Sequence, residues 1–257
     1  MNKPMKSYFG LLLMTALLFS ACAKVMHIAA EGSDSIRMND RMDQMSVEPQ
    51  VQSLIDPYKH QVDAEMNEVL AISTSPLVKE QPEGTMGNWV ADATQNQAEI
   101  MLGHPVDFSI CNYSGMRVNR VSEGEITRRY MYEIMPFDNF LVVMELDGPT
   151  TKRLFDHMAA EGGWPISASA RYMIDGNAAQ NITINGEALD QNRSYTVVLS
   201  DYIANGGSGC SFLQDVPHEA LNIYYRDAMI EEAIRTATEG SKMDPKIEGR
   251  VKVLAHE

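Results

Sequence analysis

Residues 140–146, Phe-Leu-Val-Val-Met-Glu-Leu, are apolar at every position except Glu145. A run this short and this apolar cannot keep one face in water. It therefore predicts a strand inside a sheet, with other elements packed on both sides. Gly148-Pro149 follows at once and opens a helix to about Ala160, with Pro at a position where its missing N–H costs nothing. A two-faced strand running straight into a helix calls for a layered domain rather than a bundle or an open hairpin.

The flanking sequence supplies the other layers. Val51, Leu54, Ile55, Tyr58, Val62, Met66 and Val69 recur at spacings of three and four, predicting an amphipathic helix from Pro49. Residues 71–74 read as a short strand stopped before Pro76. Thr85 is placed to cap a second helix through Trp89, Val90 and Ala93 to Leu102, which Gly103 and Pro105 end. Residues 106–111 read as a strand, 112–118 as a loop and 127–135 as a helix. Short strands are expected at 170–174, 181–184, 195–199 and 250–254, with a last helix at 228–238. Asn185-Gly186 has the chemistry of a tight hairpin turn. Helices and strands mix without strict alternation, so the fold class is α+β, a mixed sheet with flanking helices in one domain over 49–257.

The first residues read as an address. Lys3 and Lys6 precede an apolar stretch from Phe9 to Phe19, too short to span a bilayer, and Ser20-Ala21-Cys22 follows. Residues 1–21 are thus expected to be a signal peptide. Leu18-Phe19-Ser20-Ala21-Cys22 resembles a bacterial lipobox, with Phe19 in place of the usual Leu, so Cys22 would be acylated. Residues 23–48 have little periodicity and read as a tether beyond that Cys. The protein would then be secreted and held at the cell envelope by lipid. Cleavage removes Lys3 and Lys6 and no acid, leaving a chain two units more negative than the −14 of the whole. Such a charge excludes binding a nucleic-acid polymer through its phosphates, but it leaves room for a small anion in a local pocket.

Most common reaction centres are missing. The histidines at 27, 60, 104, 157, 218 and 256 are all more than five residues apart, and no His-x-x-x-His spacing exists, so no metal set is expected. Gly206-Gly207-Ser208-Gly209-Cys210 fails the nucleophile-elbow pattern at its last position. No Walker loop or Gly-x-Gly-x-x-Gly is present. Cys111 and Cys210 remain beside Cys22. They are either two buried thiols or, in an oxidising compartment, a disulfide, which the loops on which they sit would permit if both loops flank one pocket.

Four segments carry the remaining chemistry. They are Thr85-Met86-Gly87-Asn88-Trp89-Val90-Ala91-Asp92-Ala93, Asn112-Tyr113-Ser114-Gly115-Met116-Arg117, Met135-Pro136-Phe137-Asp138-Asn139, and 200–209, Ser-Asp-Tyr-Ile-Ala-Asn-Gly-Gly-Ser-Gly. Aromatic rings can stack on a base, Asn can read an amide-like edge with donor and acceptor, Arg can fork onto oxygen pairs, and Gly allows close backbone approach. In this order, with the closing Glu248-Gly249-Arg250-Val251, the segments resemble the C-terminal domain of the 5′-nucleotidase family over about residues 50–257. The resemblance implies a domain that binds the nucleoside part of a nucleotide. Phe137 and Tyr202 would clamp the base, Asn112 would face it, and Asn139 would help hold it. Arg117 would meet ribose or phosphate and alone supply local positive charge. Gly115, Gly206, Gly207 and Ser208 would complete the site.

The chain also departs from the family pattern. Ser208 stands where an Asp is usual, Tyr113 and Ser114 where Gly is frequent, and Lys79-Glu80-Gln81 holds no Arg. Family enzymes carry a metallophosphoesterase domain with two metal ions. Here no catalytic residue and no cofactor are expected in the chain itself, and a separate metallophosphoesterase would supply divalent metals. A lipoprotein that only captures nucleosides, and a structural protein with a degenerate site, are the alternatives.

Overall fold

The computed structural model describes residues 49–255. The expected signal peptide, Cys22 and the tether lie outside the described residues. One compact unit begins at Leu54. Helix α1 (Pro49–Met66) leads into strand β1 (Val69–Ser73), and β2 (Leu77–Val78) precedes helix α2 (Thr85–Leu102). Strand β3 (Phe108–Ser109) and a 3-10 turn (Tyr113–Gly115) are followed by β4 (Arg120–Val121), β5 (Gly124–Thr127) and α3 (Arg128–Ile134). Then come β6 (Phe140–Asp147), α4 (Gly148–Ala160), β7 (Ala170–Asp175), β8 (Ala178–Ile184), β9 (Glu187–Ala188), β10 (Ser194–Ser200) and α5 (Asp201–Ala204). Two 3-10 turns (Gly207–Gly209 and Ser211–Leu213), β11 (His218–Tyr224), α6 (Tyr225–Thr238) and β12 (Val251–Val253) complete the order.

The two-faced strand is central, as its composition requires. The main sheet runs β11-β6-β10-β3, antiparallel except for the parallel pair β10 and β3. Alternate residues of β6 enter different cores. Leu141 joins Val198 in a cluster with Trp89, Val90 and Ala93 of α2 and Tyr225, Ala228 and Met229 of α6. Val142, Met144 and Leu146 join Val197 and Leu199 in a second cluster with Leu154, Phe155 and Met158 of α4. That cluster also takes in Tyr172 and Ile184 of a second sheet, ordered β12-β7-β8-β9. The fold is mixed α/β with mixed sheets and helices on both faces.

Local chemistry explains most boundaries. Asp147 caps α4 by accepting from the Thr150 N–H at 2.7 Å. Gly103 ends α2 in the left-handed region at φ 73°. Asn185 (φ 53°) and Gly186 (φ 82°) make the expected hairpin turn between β8 and β9. Thr85 corrects its expectation. Gly84 is the N-cap, and the Thr85 hydroxyl bridges Pro76 O and Val78 N–H instead. Thr85 therefore fastens the incoming loop rather than the helix end. Helix α1 forms at its predicted position, yet none of its residues is buried. The two cysteines are both free and buried, so the alternative of a disulfide gives way to two thiols.

Candidate functional site

Three of the four singled-out segments converge. Asn112, Ser114, Gly115, Arg117, Phe137, Asn139 and Tyr202 line one cavity of about 210 Å³. The first segment does not reach it. Its Asn88 and Asp92 are tied to the Arg250 region, where Asn88 donates to Glu83 and Lys246 O and Asp92 accepts two bonds from Arg250.

Each wall is fixed from behind. The 112–117 loop leaves the edge strand β3 and turns through its 3-10 step, with Gly115 N–H donating to Asn112 O at 2.9 Å. A Cβ on Gly115 would lie 2.8 Å from Asn112 Oδ1, so only glycine lets that amide lie flat against the loop. Arg117 N–H donates to Ile134 O, which joins this loop to the end of α3. The Phe137 segment is gripped by Arg226 of α6. That buried guanidinium donates to Met135 O and Phe137 O at 3.3 Å and to Asp138 at 2.9 Å. Tyr202 stands at the start of α5, where Ser200 accepts from Ile203 N–H, and the residue is 47% exposed. A large ring left open to solvent beside a cavity is a surface available for stacking.

Residues 206–209 support the cavity that Tyr202, earlier in the same segment, lines. Gly206 (φ 92°), Ser208 (φ 49°) and Gly209 (φ 82°) all have positive φ. A Cβ on Gly207 would collide with the Tyr202 ring and carbonyl. Gly207 is thus the seat for Tyr202, while Gly206 faces Ser211 and Gln214. Ser208 links three elements. Its N–H donates to the Tyr202 hydroxyl at 3.1 Å, its Oγ accepts from Asn112 Nδ2 at 3.1 Å, and its carbonyl meets His157 Nε2 at 2.8 Å.

Two expectations change in detail. Asn112 also donates from Nδ2 to Ser114 Oγ at 3.0 Å. Both of its amide protons are committed, so the side chain presents its oxygen, not the donor–acceptor pair expected of it. Arg117 is not the sole local cation. Lys79 Nζ donates to Met116 O at 2.8 Å and lies 4.3 Å from the centre of the Tyr113 ring. Burial, then the Arg117 charge, lowers the Lys79 pKa. Nothing local in Lys79-Glu80-Gln81 marks this residue, because β2 and β4 bring it to the 112–117 loop. Arg226 and His157 escape sequence reading for the same reason. Arg117 rests its guanidinium 4.9 Å from the centre of the Phe137 ring, so the ring already holds a planar cation.

Comparison with known proteins agrees with this architecture. The profile of the 5′-nucleotidase C-terminal domain matches residues 65–215. This chain belongs to that family. Among its relatives is the trifunctional nucleotide phosphoesterase protein YfkN of Bacillus subtilis, 25% identical over 224 residues, covering 79% of this chain and 15% of that protein. Protein UshA of Yersinia enterocolitica is 23% identical, covering 73% of this chain and 34% of its own length. A crystal structure of a 5′-nucleotidase precursor from Thermus thermophilus shares the fold at a TM-score of 0.65 and 23% identity, covering 81% of this chain and 44% of that one. The NAD nucleotidase NadN of Haemophilus influenzae matches with a TM-score of 0.59, 20% identity, and coverage of 85% and 44%. The 5′-nucleotidase C-terminal domain thus accounts for most of this chain, and the chain spans about a third or less of these curated relatives.

Proposed function

We propose that this domain binds the nucleoside portion of a nucleotide within a 5′-nucleotidase-type hydrolase system. The base would stack on Phe137 and Tyr202, with Asn139 beside it and the Asn112 oxygen accepting from a donor on its edge. Arg117, leaving its resting contact with Phe137, would meet ribose or phosphate, and Lys79 would add to the positive potential there. The observation that carries this reading is the convergence of Asn112, Arg117, Phe137, Asn139 and Tyr202, distant in sequence, on one cavity. Two aromatic groups, an amide acceptor and an exposed guanidinium suit a planar, hydrogen-bonding ligand that carries an anion. Hydrolysis would fall to a metallophosphoesterase on a separate chain, which would hold the divalent metals and activate water. An acylated Cys22 would keep the domain at the envelope.

Calorimetric titration with nucleoside 5′-monophosphates tests the binding part. The expected result is saturable binding that Phe137→Ala weakens by about 1–3 kcal/mol. No binding of any of the four common monophosphates contradicts it. Turnover by the purified chain with Mn²⁺ or Zn²⁺, without a second protein, would contradict the two-chain part alone.

A further inference from the structure

A second cavity adjoins the first. It measures about 510 Å³ and is lined by Gln81, Tyr113, Ser114, His157, Glu161, Trp164, Ser208 and Gly209. Ser114 lines both cavities. The boundary between them consists of three short polar side chains, Asn112, Ser114 and Ser208, joined by the two Asn112 hydrogen bonds of 3.0 and 3.1 Å.

The two chambers differ in chemistry. The first holds Arg117. The second has no Lys or Arg among the described residues of its walls. It offers the Tyr113 ring, an edge of the otherwise buried Trp164, the Ser114 hydroxyl, the Glu161 carboxylate and the oxygen of the Gln81 amide, whose nitrogen donates to Glu161 O and Gly163 O. His157 is locked in place, its ring edge-on to Trp164 at 5.3 Å and to Phe212 at 6.0 Å while Nε2 meets Ser208 O. Gly209 keeps the wall open, because a Cβ there would lie 3.0 Å from the His157 ring. Aromatic walls with a carboxylate and an amide favour a neutral group that carries hydroxyls, and they disfavour phosphate.

We infer that the second cavity is an accessory chamber of the nucleoside site, taking a neutral hydroxyl-bearing substituent on the base edge that faces Asn112. This rests on the nucleoside reading of the first cavity. The ligand class is a base-substituted nucleoside or nucleotide. Its substituent would pass between Asn112, Ser114 and Ser208, whose mutual bonds can be exchanged for bonds to the ligand. The Glu161 carboxylate would accept from the substituent's hydroxyl.

Trp164 supplies the reporter. The chain contains two tryptophans, and Trp89 lies in the other core and outside both cavities. In a Trp89→Phe background, whichever of adenosine, guanosine and cytidine binds most tightly is compared with its derivative bearing a 2-hydroxyethyl group on the exocyclic amine. The expected result is an affinity gain of about tenfold, the effect of one hydrogen bond to a charged group, and a shift in Trp164 emission that the parent nucleoside does not produce. In Glu161→Ala the derivative should bind no more tightly than the parent. Parent binding without any gain, or a gain that survives Glu161→Ala, overturns the accessory chamber and leaves the nucleoside reading intact. No binding by any parent overturns the nucleoside reading itself.

Discussion

Arg250 and Arg117 are the same residue type put to opposite uses. Arg250 is 4% exposed, and its guanidinium is surrounded. It donates to both oxygens of Asp92, to Glu248, to Asn88 O and to Ile166 O. That cluster ties the chain's last strand to α2 and to the loop before β7. Arg117 is exposed and lies over the face of Phe137. One guanidinium has its donors satisfied internally, while the other faces a cavity. The difference separates structure from site more reliably than residue type or position does. Phe137 and Tyr202 follow the same division against Phe155 and Tyr172, which are fully buried and packed edge to face at 5.4 Å.

The comparison can be broken most severely at Arg250. Arg250→Met should lower stability by about 3 kcal/mol in urea denaturation. That is the low end for a disrupted buried pair, because Asp92 and Glu248 keep partial solvent access. The buried thiols come next. Burial raises Cys111 and Cys210 from the ordinary 9.0 to about 12. A raised thiol pKa means the folded state holds protons that the unfolded chain releases. This contribution is intact below pH 9 and is lost as pH rises toward 12. At pH 10 each thiol should reduce stability by about 1.4 kcal/mol relative to pH 8, and neither should react with an alkylating agent at pH 8 until the protein unfolds.

Changes at the presented groups should alter binding; at the exposed Arg117 this should carry no cost in stability, whereas Phe137 also packs against the first core and its loss should lower stability as well. Tyr202→Ala and Phe137→Ala should each weaken a nucleoside monophosphate by about 1–3 kcal/mol. Arg117→Ala should weaken the monophosphate by about 1 kcal/mol more than the nucleoside, with the gap shrinking as salt is added and the melting temperature unmoved. If Arg117→Ala instead lowers stability as Arg250→Met does, the two arginines are not different in kind. The smallest effect belongs to α1. Leu54, 71% exposed, should tolerate Leu54→Ser within about 0.5 kcal/mol.

Much of the fold is legible because strong local patterns and the packing agree. Residues 140–146 are apolar on both sides except at Glu145, and the structure buries Val142, Met144 and Leu146 on one face and Leu141, with half-buried Val143, on the other. Helices α1 and α2 mark where periodicity stops informing. Both are 18 residues long and both carry apolar residues at helical spacing, yet α2 buries ten residues and α1 none. Spacing predicts the helix but does not say what will cover it. Strand β11 escapes notice because its residues are largely exposed and Asn222 (φ 57°) breaks its register with β6. Strands β2 and β4 have two residues each, too few to show alternation.

At the site, the motif loops are readable because Asn, Arg, Gly and aromatic residues fall together within them. What holds them is not readable. Arg226 grips the Phe137 segment from 89 residues away in sequence, and His157 holds Ser208 from 51. Such partners are brought together by topology. The commitment of both Asn112 protons is invisible for the same reason, since Ser208 lies 96 residues away.

The most direct measurement is a crystal structure of this chain with a nucleoside 5′-monophosphate bound. The base should lie against Phe137 and Tyr202, its edge toward Asn112, with the Arg117 guanidinium moved off the Phe137 ring to ribose or phosphate. A base bound elsewhere, or bound with Arg117 still resting on Phe137, would contradict the assignment of this cavity as the nucleoside site.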